Sequence, residues 1–278
     1  MSTPVQLGGK VAFITGAARG QGRSHALALA REGADIIAID VCRQLETVPY
    51  PGATPADLAE TVRQVKKLGG RILASQVDVR DAKALTKAVD DGVAALGRLD
   101  IVLANAGIST PAPTLEMDDE TWDTMIDINL SGQFKTIRAA VPHIVAGGRG
   151  GAVVITSSLA ALKPHANIAH YAAAKAGLIG LMKVLAVELA PHQIRVNTVH
   201  PSTVNTEMVL NEATYKLFRP DLANPTRADY EAAARHLNKL PTAGLDAADI
   251  SEAILYLVSD AGRYVTGTTH VIDCGAQL

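Results

Sequence analysis

The chain has 278 residues and a formal net charge of −2, and 48% of its residues are hydrophobic whereas only 4% are aromatic. This composition supports a large core of Ala, Val, Ile and Leu, and the balanced charge gives no reason to expect a nucleic acid or an anionic membrane as a partner. Its two cysteines lack disulfide or metal-ligand spacing, and it shows neither a signal-peptide core nor an apolar run near the ~20 residues of a bilayer span, so we expect a metal-free cytoplasmic protein.

Short apolar runs alternate with helix-forming segments along the chain. We predict strands near residues 11–15, 35–40, 71–78, 99–104, 152–157, 194–199 and 269–273. We predict helices near residues 22–32, 55–69, 81–96, 118–145, 170–190 and 246–259. Such alternation indicates a parallel sheet with helices on both faces, the doubly wound α/β class, and we expect one domain over residues 1–278.

The first predicted strand and helix are joined by a glycine-rich turn, Thr15-Gly16-Ala17-Ala18-Arg19-Gly20-Gln21-Gly22. Glycines let the backbone approach a pyrophosphate, and the start of a helix offers unpaired N–H groups and the positive end of its dipole. The spacing is Gly-x-x-x-Gly-x-Gly rather than the Gly-x-Gly-x-x-Gly of most dinucleotide binders. Because it stands between a strand and a helix, the turn predicts a cofactor loop rather than a plain turn.

Asp40 ends the second predicted strand, where an acidic residue can accept hydrogen bonds from the adenosine ribose hydroxyls. Its charge would repel a 2′-phosphate, which favours NAD over NADP. Arg19 and Arg43 argue the other way, but desolvating a carboxylate beside a phosphate costs more than a surface arginine returns. The alternative, a turn residue at the end of a strand, is less favoured because the glycine-rich turn precedes it.

The fifth predicted strand ends near Ser158, and the following helix carries Tyr171 and Lys175. Open α/β sheets bind their ligands at the carboxyl ends of strands. Residues four apart on a helix share a face, so the ammonium of Lys175 would lie beneath the phenol of Tyr171. A neighbouring cation favours the phenolate, and we expect a lowered pKa that suits Tyr171 to acid–base catalysis. On its own, Tyr-x-x-x-Lys is more often a solvated pair than a catalytic one. The motifs elsewhere in the chain strengthen the catalytic interpretation.

Four further motifs follow the predicted strands or lie within a helix. They are Asp78-Val79, Asn105-Ala106-Gly107, an isolated Asn129 and Pro201-x-x-Val204-x-Thr206. With the glycine-rich turn and the Tyr-x-x-x-Lys pair, these motifs occur in the order and approximate spacing of the short-chain dehydrogenase/reductase family, which the chain resembles over essentially its whole length. The resemblance implies a seven-stranded Rossmann-type sheet of strand order 3-2-1-4-5-6-7.

The resemblance also implies site residues. The catalytic residues would be Asn129, Ser158, Tyr171 and Lys175. The cofactor contacts would be Gly16, Ala18, Arg19, Gly20, Gln21, Gly22, Asp40, Val41, Asp78, Val79, Asn105, Ala106, Gly107, Tyr171, Lys175, Pro201, Val204 and Thr206. Asp78 and Val79 would contact the adenine, Val204 and Thr206 the nicotinamide carboxamide, and Asn129 would position a water that links Lys175 to solvent. Ser202 departs from the family, which usually has Gly after this proline.

Two segments interrupt the alternation of strands and helices. Residues 41–55 form a loop with three prolines, which is long for such a connection and could fold over the adenosine or be an insertion without a role. Cys42-Arg43-Gln44-Leu45 with Val48-Pro49-Tyr50, His200-Pro201 and Asn205-Thr206 resembles the carveol-dehydrogenase type. That subfamily is associated with the redox cofactor mycofactocin, and the resemblance implies that the insertion buries a poorly exchanging NAD that is reoxidised in place.

Residues 207–240 form the second interruption, and their Met, Leu, Tyr and Phe side chains are too apolar for a solvent loop. In the family this segment is the substrate lid, and its composition suits an apolar alcohol. The nearby His165, His170 and His200 are expected to be pocket walls or supporting groups, because Tyr171 already provides the acid–base group.

These features predict an oxidoreductase that moves a hydride between NAD and a small, apolar secondary alcohol resembling carveol. One alternative is a 3-oxoacyl ketoreductase, which would need a basic patch to dock its carrier protein; the balanced charge and the large lid argue against it. Another is an NAD-sensing module without chemistry, which retention of all four catalytic residues disfavours. The apolar helices at 118–145 and 170–190 pair across a two-fold axis in the family, and we expect a homotetramer.

Overall fold

The computed structural model describes residues 6–278, which contain seven strands and nine α-helices. The strands are β1 (Val11–Thr15), β2 (Asp35–Asp40), β3 (Ile72–Gln76), β4 (Ile101–Ala104), β5 (Gly151–Thr156), β6 (Ile194–Pro201) and β7 (Thr269–Ile272). The helices are α1 (Gly20–Arg31), α2 (Pro55–Lys67), α3 (Ala82–Leu96), α4 (Asp119–Ile126), α5 (Gly132–Gly147), α6 (Ala169–Leu189), α7 (Glu212–Phe218), α8 (Arg227–Leu237) and α9 (Ala247–Val258).

All seven strands form one parallel sheet in the order β3-β2-β1-β4-β5-β6-β7. This order and the doubly wound class are as predicted. The order reverses between β1 and β4, so the loops after these two strands diverge and leave a crevice at the carboxyl edge of the sheet. The glycine-rich turn and the Asn105-Ala106-Gly107 motif both lie at that crevice.

Alternate residues of the central strands enter two apolar clusters, one on each face of the sheet. Phe13 and Val102 belong to the cluster that α3, α5 and α6 cover. Ile14 and Leu103 belong to the cluster that α1, α2 and α9 cover. Burial on both faces explains why these strands are continuous apolar runs rather than alternating ones.

The region predicted as one helix over residues 118–145 differs in its middle. A π-helical segment, Asp127–Ser131, joins α4 to α5. Such a segment inserts extra residues into the helical turn and often occurs at functional sites. The hydrophobic pattern cannot reveal it, because the apolar face continues on both sides. The segment carries Asn129, which is fully buried.

The two interruptions also have defined structure. Residues 41–54 contain no strand or helix, and Thr54 caps α2 through a capping box with Asp57. The segment after β6 holds α7 and α8, which pack against each other through Tyr230. The Tyr230 ring stacks on Tyr215 with centroids 5.4 Å apart and meets Phe218 edge-on at 4.9 Å.

Within residues 6–278, none of the helices combines the length and hydrophobicity needed to span a bilayer. The same residues include no group of three or more His, Cys, Asp or Glu side chains arranged to hold a metal ion.

Candidate active site

The turn between β1 and α1 requires glycine at two positions. Gly16 has a φ of +67°, and a Cβ atom there would lie 2.9 Å from Cα of Ala106. A Cβ atom on Gly22 would lie 2.0 Å from the carbonyl oxygen of Gly16. Arg19 gives α1 no side-chain cap, so the first N–H groups of the helix remain available to an anion. The turn therefore fits a pyrophosphate group.

Asp40 connects this turn to the insertion. Its carboxylate accepts hydrogen bonds from the main-chain N–H groups of Ala18 at 3.0 Å and Cys42 at 3.1 Å. A carboxylate offers about four lone-pair directions, so acceptor capacity remains for ribose hydroxyls. The interpretations of Asp40 as a turn residue and as a ribose acceptor are thus compatible.

Arg19 and Arg43, the two cations that could have favoured NADP, both form hydrogen bonds with other protein groups. Arg19 donates from its guanidinium to the carbonyl oxygen of Pro51. Arg43 donates to Oδ2 of Asp78 at 2.8 Å, and Arg80 donates to the same oxygen at 2.7 Å. Burial alone raises the pKa of Asp78, but the hydrogen bonds from Arg80 hold it below its ordinary value. The arginine charges are therefore directed to protein groups rather than to a 2′-phosphate.

Asn105 ties together the strands beneath the cofactor crevice. Its Nδ2 donates to the carbonyl oxygen of Thr15 at 3.0 Å, and its Oδ1 accepts from the hydroxyl of Thr156 at 3.2 Å. These bonds join the carboxyl ends of β1, β4 and β5. The crevice floor is consequently rigid at the point where the two ligand pockets meet.

Ser158, Tyr171 and Lys175 converge at the end of β5. Ser158 caps a 3₁₀ turn over Leu159–Ala161, and Tyr171 and Lys175 lie in the first two turns of α6. Lys175 is 3% exposed; its Nζ lies 5.7 Å from the centre of the Tyr171 ring and donates to the carbonyl oxygen of Thr156 at 2.8 Å. The lysine therefore lies beneath the phenol, where the sequence predicts it.

The lowered pKa expected for Tyr171 was wrong. Burial raises the pKa of the Tyr171 phenol, and hydrogen bonding to Ser158 only partly opposes this. Burial also lowers the pKa of Lys175 to about 7, so at neutral pH a large fraction of the lysine is uncharged and offers the phenolate less support. The expectation assumed a permanent cation and overlooked the desolvation of the lysine itself.

The Asn129 side chain forms two hydrogen bonds with the main chain of Ile108. Its Oδ1 accepts from the N–H group of Ile108 and its Nδ2 donates to the carbonyl oxygen of the same residue, both at 2.8 Å. A Cβ atom on Gly107 would lie 3.0 Å from Oδ1 of Asn129 and 3.4 Å from Nζ of Lys175. A side chain at position 107 would therefore crowd both Asn129 and Lys175.

Two pockets meet at the crevice and include all the predicted site residues except Ala18 and Asn129. The first, the cofactor pocket, is lined among others by Gly16, Arg19, Gly20, Gln21, Gly22, Asp40, Val41, Asp78, Val79, Asn105, Ala106, Gly107 and Thr206. The second, the substrate pocket, includes Ser158, Tyr171, Lys175, Pro201, Val204 and Thr206. Ala18 and Asn129 are fully buried behind the pocket walls.

The junction of the two pockets contains a residue whose side chain the sequence analysis left unassigned. Gln21 lines both pockets, and its Oε1 is buried without a hydrogen-bond partner among the described residues. Ile108 also lines both pockets, and its position directly after the Asn105-Ala106-Gly107 motif could have identified it. A buried polar atom without a partner at a pocket wall fits a site that is completed by a ligand.

The insertion forms one wall of the cofactor pocket through Leu45, Val48 and Tyr50. The Tyr50 side chain is buried, and its hydroxyl accepts from the N–H group of Ser109 at 3.2 Å. The hydroxyl of Thr110 donates to the carbonyl oxygen of Thr47 at 2.8 Å. These two bonds form a clasp between the insertion and the segment after β4, and no motif in the sequence predicts it.

The three histidines near the site have different surroundings. His165 lines the substrate pocket and is exposed. His170 is buried, and both of its ring nitrogens lack partners among the described residues. His200 is buried and fully hydrogen-bonded. Burial lowers the pKa of His170 and of His200, so both rings are neutral at pH 7.

Comparisons with known proteins agree with this geometry. The sequence model of the short chain dehydrogenase family matches residues 10–216. The (−)-trans-carveol dehydrogenase of Rhodococcus erythropolis is 53% identical over 97% of this chain and 98% of its own length.

Two solved structures are also similar. The carveol dehydrogenase from Mycobacterium avium in complex with NAD is 55% identical, with a TM-score of 0.96 over 98% of this chain and 99% of that one. A short chain dehydrogenase from Mycobacterium paratuberculosis bound to NAD is 44% identical, with a TM-score of 0.89 over 98% of both chains. The similarity to carveol dehydrogenases confirms the narrower resemblance, and the chain belongs to the short-chain dehydrogenase/reductase family.

Proposed function

We propose that this protein oxidises a small, apolar secondary alcohol with NAD, or reduces the corresponding ketone. The observation that carries the proposal is the convergence of Ser158, Tyr171 and Lys175 on a pocket that adjoins the glycine-rich crevice. NAD supplies the acceptor for the hydride that leaves the carbinol carbon. The two similar structures that contain NAD support this choice of cofactor.

The acid–base step belongs to Tyr171. Its phenolic oxygen takes the proton of the alcohol during oxidation, and Ser158 donates a hydrogen bond to the same substrate oxygen. Lys175 acts in its charged form, which stabilises the phenolate and binds the nicotinamide ribose. Asn129 fixes the backbone at Ile108 and orders the path by which the proton leaves.

The pocket walls support the following cofactor contacts. The glycine-rich turn binds the pyrophosphate, Asp40 accepts from the ribose, Asp78 and Val79 contact the adenine, and Val204 and Thr206 hold the carboxamide. Glycine at positions 16 and 22 and the uncapped start of α1 support the first assignment.

Two segments enclose the ligands within a single domain over residues 1–278, of which residues 1–5 lie outside the described part of the chain. Residues 41–55 cover the adenosine half and slow the exchange of NAD, which the clasp through Tyr50 and Thr110 supports. Reduced NAD is then reoxidised in place by an acceptor such as mycofactocin. Residues 207–240 form the substrate lid, and its wall of Met208, Leu217 and Phe218 favours an apolar substrate.

One experiment tests both the retention of NAD and the oxidation of an alcohol. The purified protein is denatured, and the nucleotide that it releases is identified. The native protein is then assayed with carveol and related secondary alcohols, once with a dye as electron acceptor and once with free NAD. We expect bound NAD and turnover with the dye. Protein that carries no nucleotide, and that oxidises none of the alcohols under either condition, contradicts the proposal.

We further propose a homotetramer in the cytoplasm. Large apolar side chains are exposed on α4, α5 and α6, including Trp122 at 40%, Phe134 at 42% and Val187 at 76%. Exposed apolar residues of this kind suit a symmetric interface. Light scattering tests the assembly, and a monomer at all concentrations would disprove it; cell fractionation tests the location.

A further inference from the structure

His200 joins β6 to the catalytic serine. Its Nδ1 lies 3.0 Å from the carbonyl oxygen of Ser158, and its Nε2 lies 2.8 Å from the hydroxyl oxygen of Thr198. A carbonyl oxygen only accepts hydrogen bonds, so Nδ1 carries the proton and Nε2 of the neutral ring accepts from Thr198. Burial lowers the pKa of His200 and outweighs the hydrogen bond to Ser158, which raises it, so the ring is neutral at pH 7.

The main chain of β6 cannot make this connection by itself. The last ladder bond between the two strands runs from the N–H group of Ser157 to the carbonyl oxygen of Val199, at 2.9 Å. The next residue of β6 that would turn its N–H group towards β5 is Pro201, which has none. The N–H group that Pro201 lacks would have faced the carbonyl of Ser157, so the ladder ends there, and the side chain of His200 supplies a donor to the next carbonyl, that of Ser158.

The peptide group that His200 holds determines where the serine hydroxyl points. The carbonyl of Ser158 also accepts from the N–H group of Ala161 at 3.1 Å, and Oγ of Ser158 accepts from the N–H group of Ala160 at 3.1 Å. Rotation of the Ser158 peptide would therefore disturb the short turn that orients Oγ. A displacement of about 1 Å at a reacting group is enough to cost ~10²-fold in rate.

We propose that His200 is a positioning residue, which holds the Ser158 peptide so that the serine hydroxyl faces Tyr171 and the alcohol. This inference rests on the proposed function, because it assigns Ser158 to the reaction. It predicts that loss of His200 acts on the chemical step rather than on the binding of NAD.

The test compares His200→Leu with His200→Asn, whose amide N–H can replace Nδ1 as the donor to Ser158. We expect the Leu variant to lose ~10- to 100-fold in kcat with little change in KM or in bound NAD, and the Asn variant to keep most activity. Hydrogen bonding to Ser158 lowers the pKa of Tyr171. The acid limb of the pH profile for alcohol oxidation should therefore move to higher pH in the Leu variant only.

Two further variants serve as controls. Asn197→Ala removes a buried side-chain bond to Val265 from the same strand without touching Ser158. If it lowers kcat and moves the acid limb as much as His200→Leu, a general loosening of β6 explains the effect and the proposal is overturned. Tyr171→Phe tests the underlying function: if it stays active, both proposals fail. If it is inactive while His200→Leu matches the parent in kcat and pH profile, only the positioning role fails.

If the Leu variant does not fold, Thr198→Val replaces it, because this change removes the hydroxyl that bonds to Nε2 and helps to hold the His200 ring in its orientation towards Ser158. A drop of several-fold in kcat for Thr198→Val, with near-parental activity for His200→Asn, supports the proposal. Parental kcat and an unchanged acid limb in Thr198→Val would overturn it.

Discussion

The cofactor pocket and the substrate pocket share a wall but are built in different ways. The cofactor pocket takes most of its lining from short motifs that directly follow β1, β2, β3 and β4. The substrate pocket combines residues 105–111 with the end of β5, α6, the lid and Ala276 near the end of the chain. The sheet fixes the shape of a pocket that is made of strand-end turns. The shape of a pocket that is lined by lid side chains depends instead on which side chains the lid carries.

The largest effect should come from the acid–base group of the substrate pocket. Tyr171→Phe keeps the ring and its packing but removes the proton carrier, so we expect kcat for alcohol oxidation to fall ~10²–10⁴-fold. The NAD content after purification should stay close to that of the parent, since the main cofactor contacts lie in the other pocket. Steady-state rates and the nucleotide released on denaturation measure the two effects. Retention of most of the turnover would remove Tyr171 from the mechanism.

The same division explains which parts of the site could be predicted from the sequence. The residues Gly16 to Gly22 are contiguous, and Tyr171 and Lys175 are one helical turn apart, so local periodicity is sufficient to place them. The bond from His200 to Ser158 and the clasp at Tyr50 join residues that only tertiary packing brings together.

The fold could be predicted from local patterns and the family resemblance, with one local exception. Seven strands and their order followed from the alternating pattern and the family resemblance, and the structure has both. The π-helical segment at Asp127–Ser131 did not follow, because it changes the backbone without changing the apolar pattern. The pKa of Tyr171 depends on desolvation, which is a property of the assembled core and is not visible in a motif.

The second prediction concerns the cover of the cofactor pocket. Replacing residues 43–53 by a short Gly-Ser turn keeps Thr54, which caps α2, and removes the wall that Val48 and Tyr50 provide. We expect bound NAD to exchange much faster, because a cover acts mainly on the dissociation rate. Exchange is measured by the loss of labelled NAD from the protein during incubation with unlabelled NAD.

A smaller change isolates the clasp. Tyr50→Phe leaves the ring but removes the acceptor for the Ser109 N–H group, and one hydrogen bond contributes about 1 kcal/mol, or about fivefold in dissociation rate. Thr86→Val is the matched control, because its hydroxyl bonds to a helix carbonyl away from the pocket. If the parent and the loop-deleted variant exchange NAD equally fast, the insertion has no role in retention.

The third prediction tests cofactor choice within the same pocket. Asp40→Ala should narrow the preference for NAD over NADP, but it also removes the bonds to Ala18 and Cys42. Asp40→Asn removes the charge and keeps one of the two acceptor oxygens, so it tests repulsion of the 2′-phosphate with less loss of main-chain bonding than Asp40→Ala. Like charges ~4 Å apart repel by about 4 kcal/mol at an effective dielectric of ~20. Loss of only about 1 kcal/mol of this repulsion would change the ratio of NAD to NADP affinity about fivefold. Equal use of both nucleotides by the parent would show that the carboxylate does not select.

The fourth prediction concerns the substrate pocket, where we expect a change in selectivity rather than a loss of activity. Phe218 lines this pocket and contacts Tyr230 edge-on, so Phe218→Ala enlarges the cavity and weakens the packing of the lid. Tyr215→Ala removes a comparable contact with Tyr230 from a residue outside the pocket lining, and it serves as the control for packing alone. Hydrophobic pockets discriminate by about 1–3 kcal/mol per methylene, so kcat/KM for bulkier alcohols should rise about tenfold relative to small ones in Phe218→Ala only. The measurement is the ratio of kcat/KM across a homologous series of secondary alcohols. The same shift in both variants would mean that lid mobility, and not the shape of this wall, sets the substrate range.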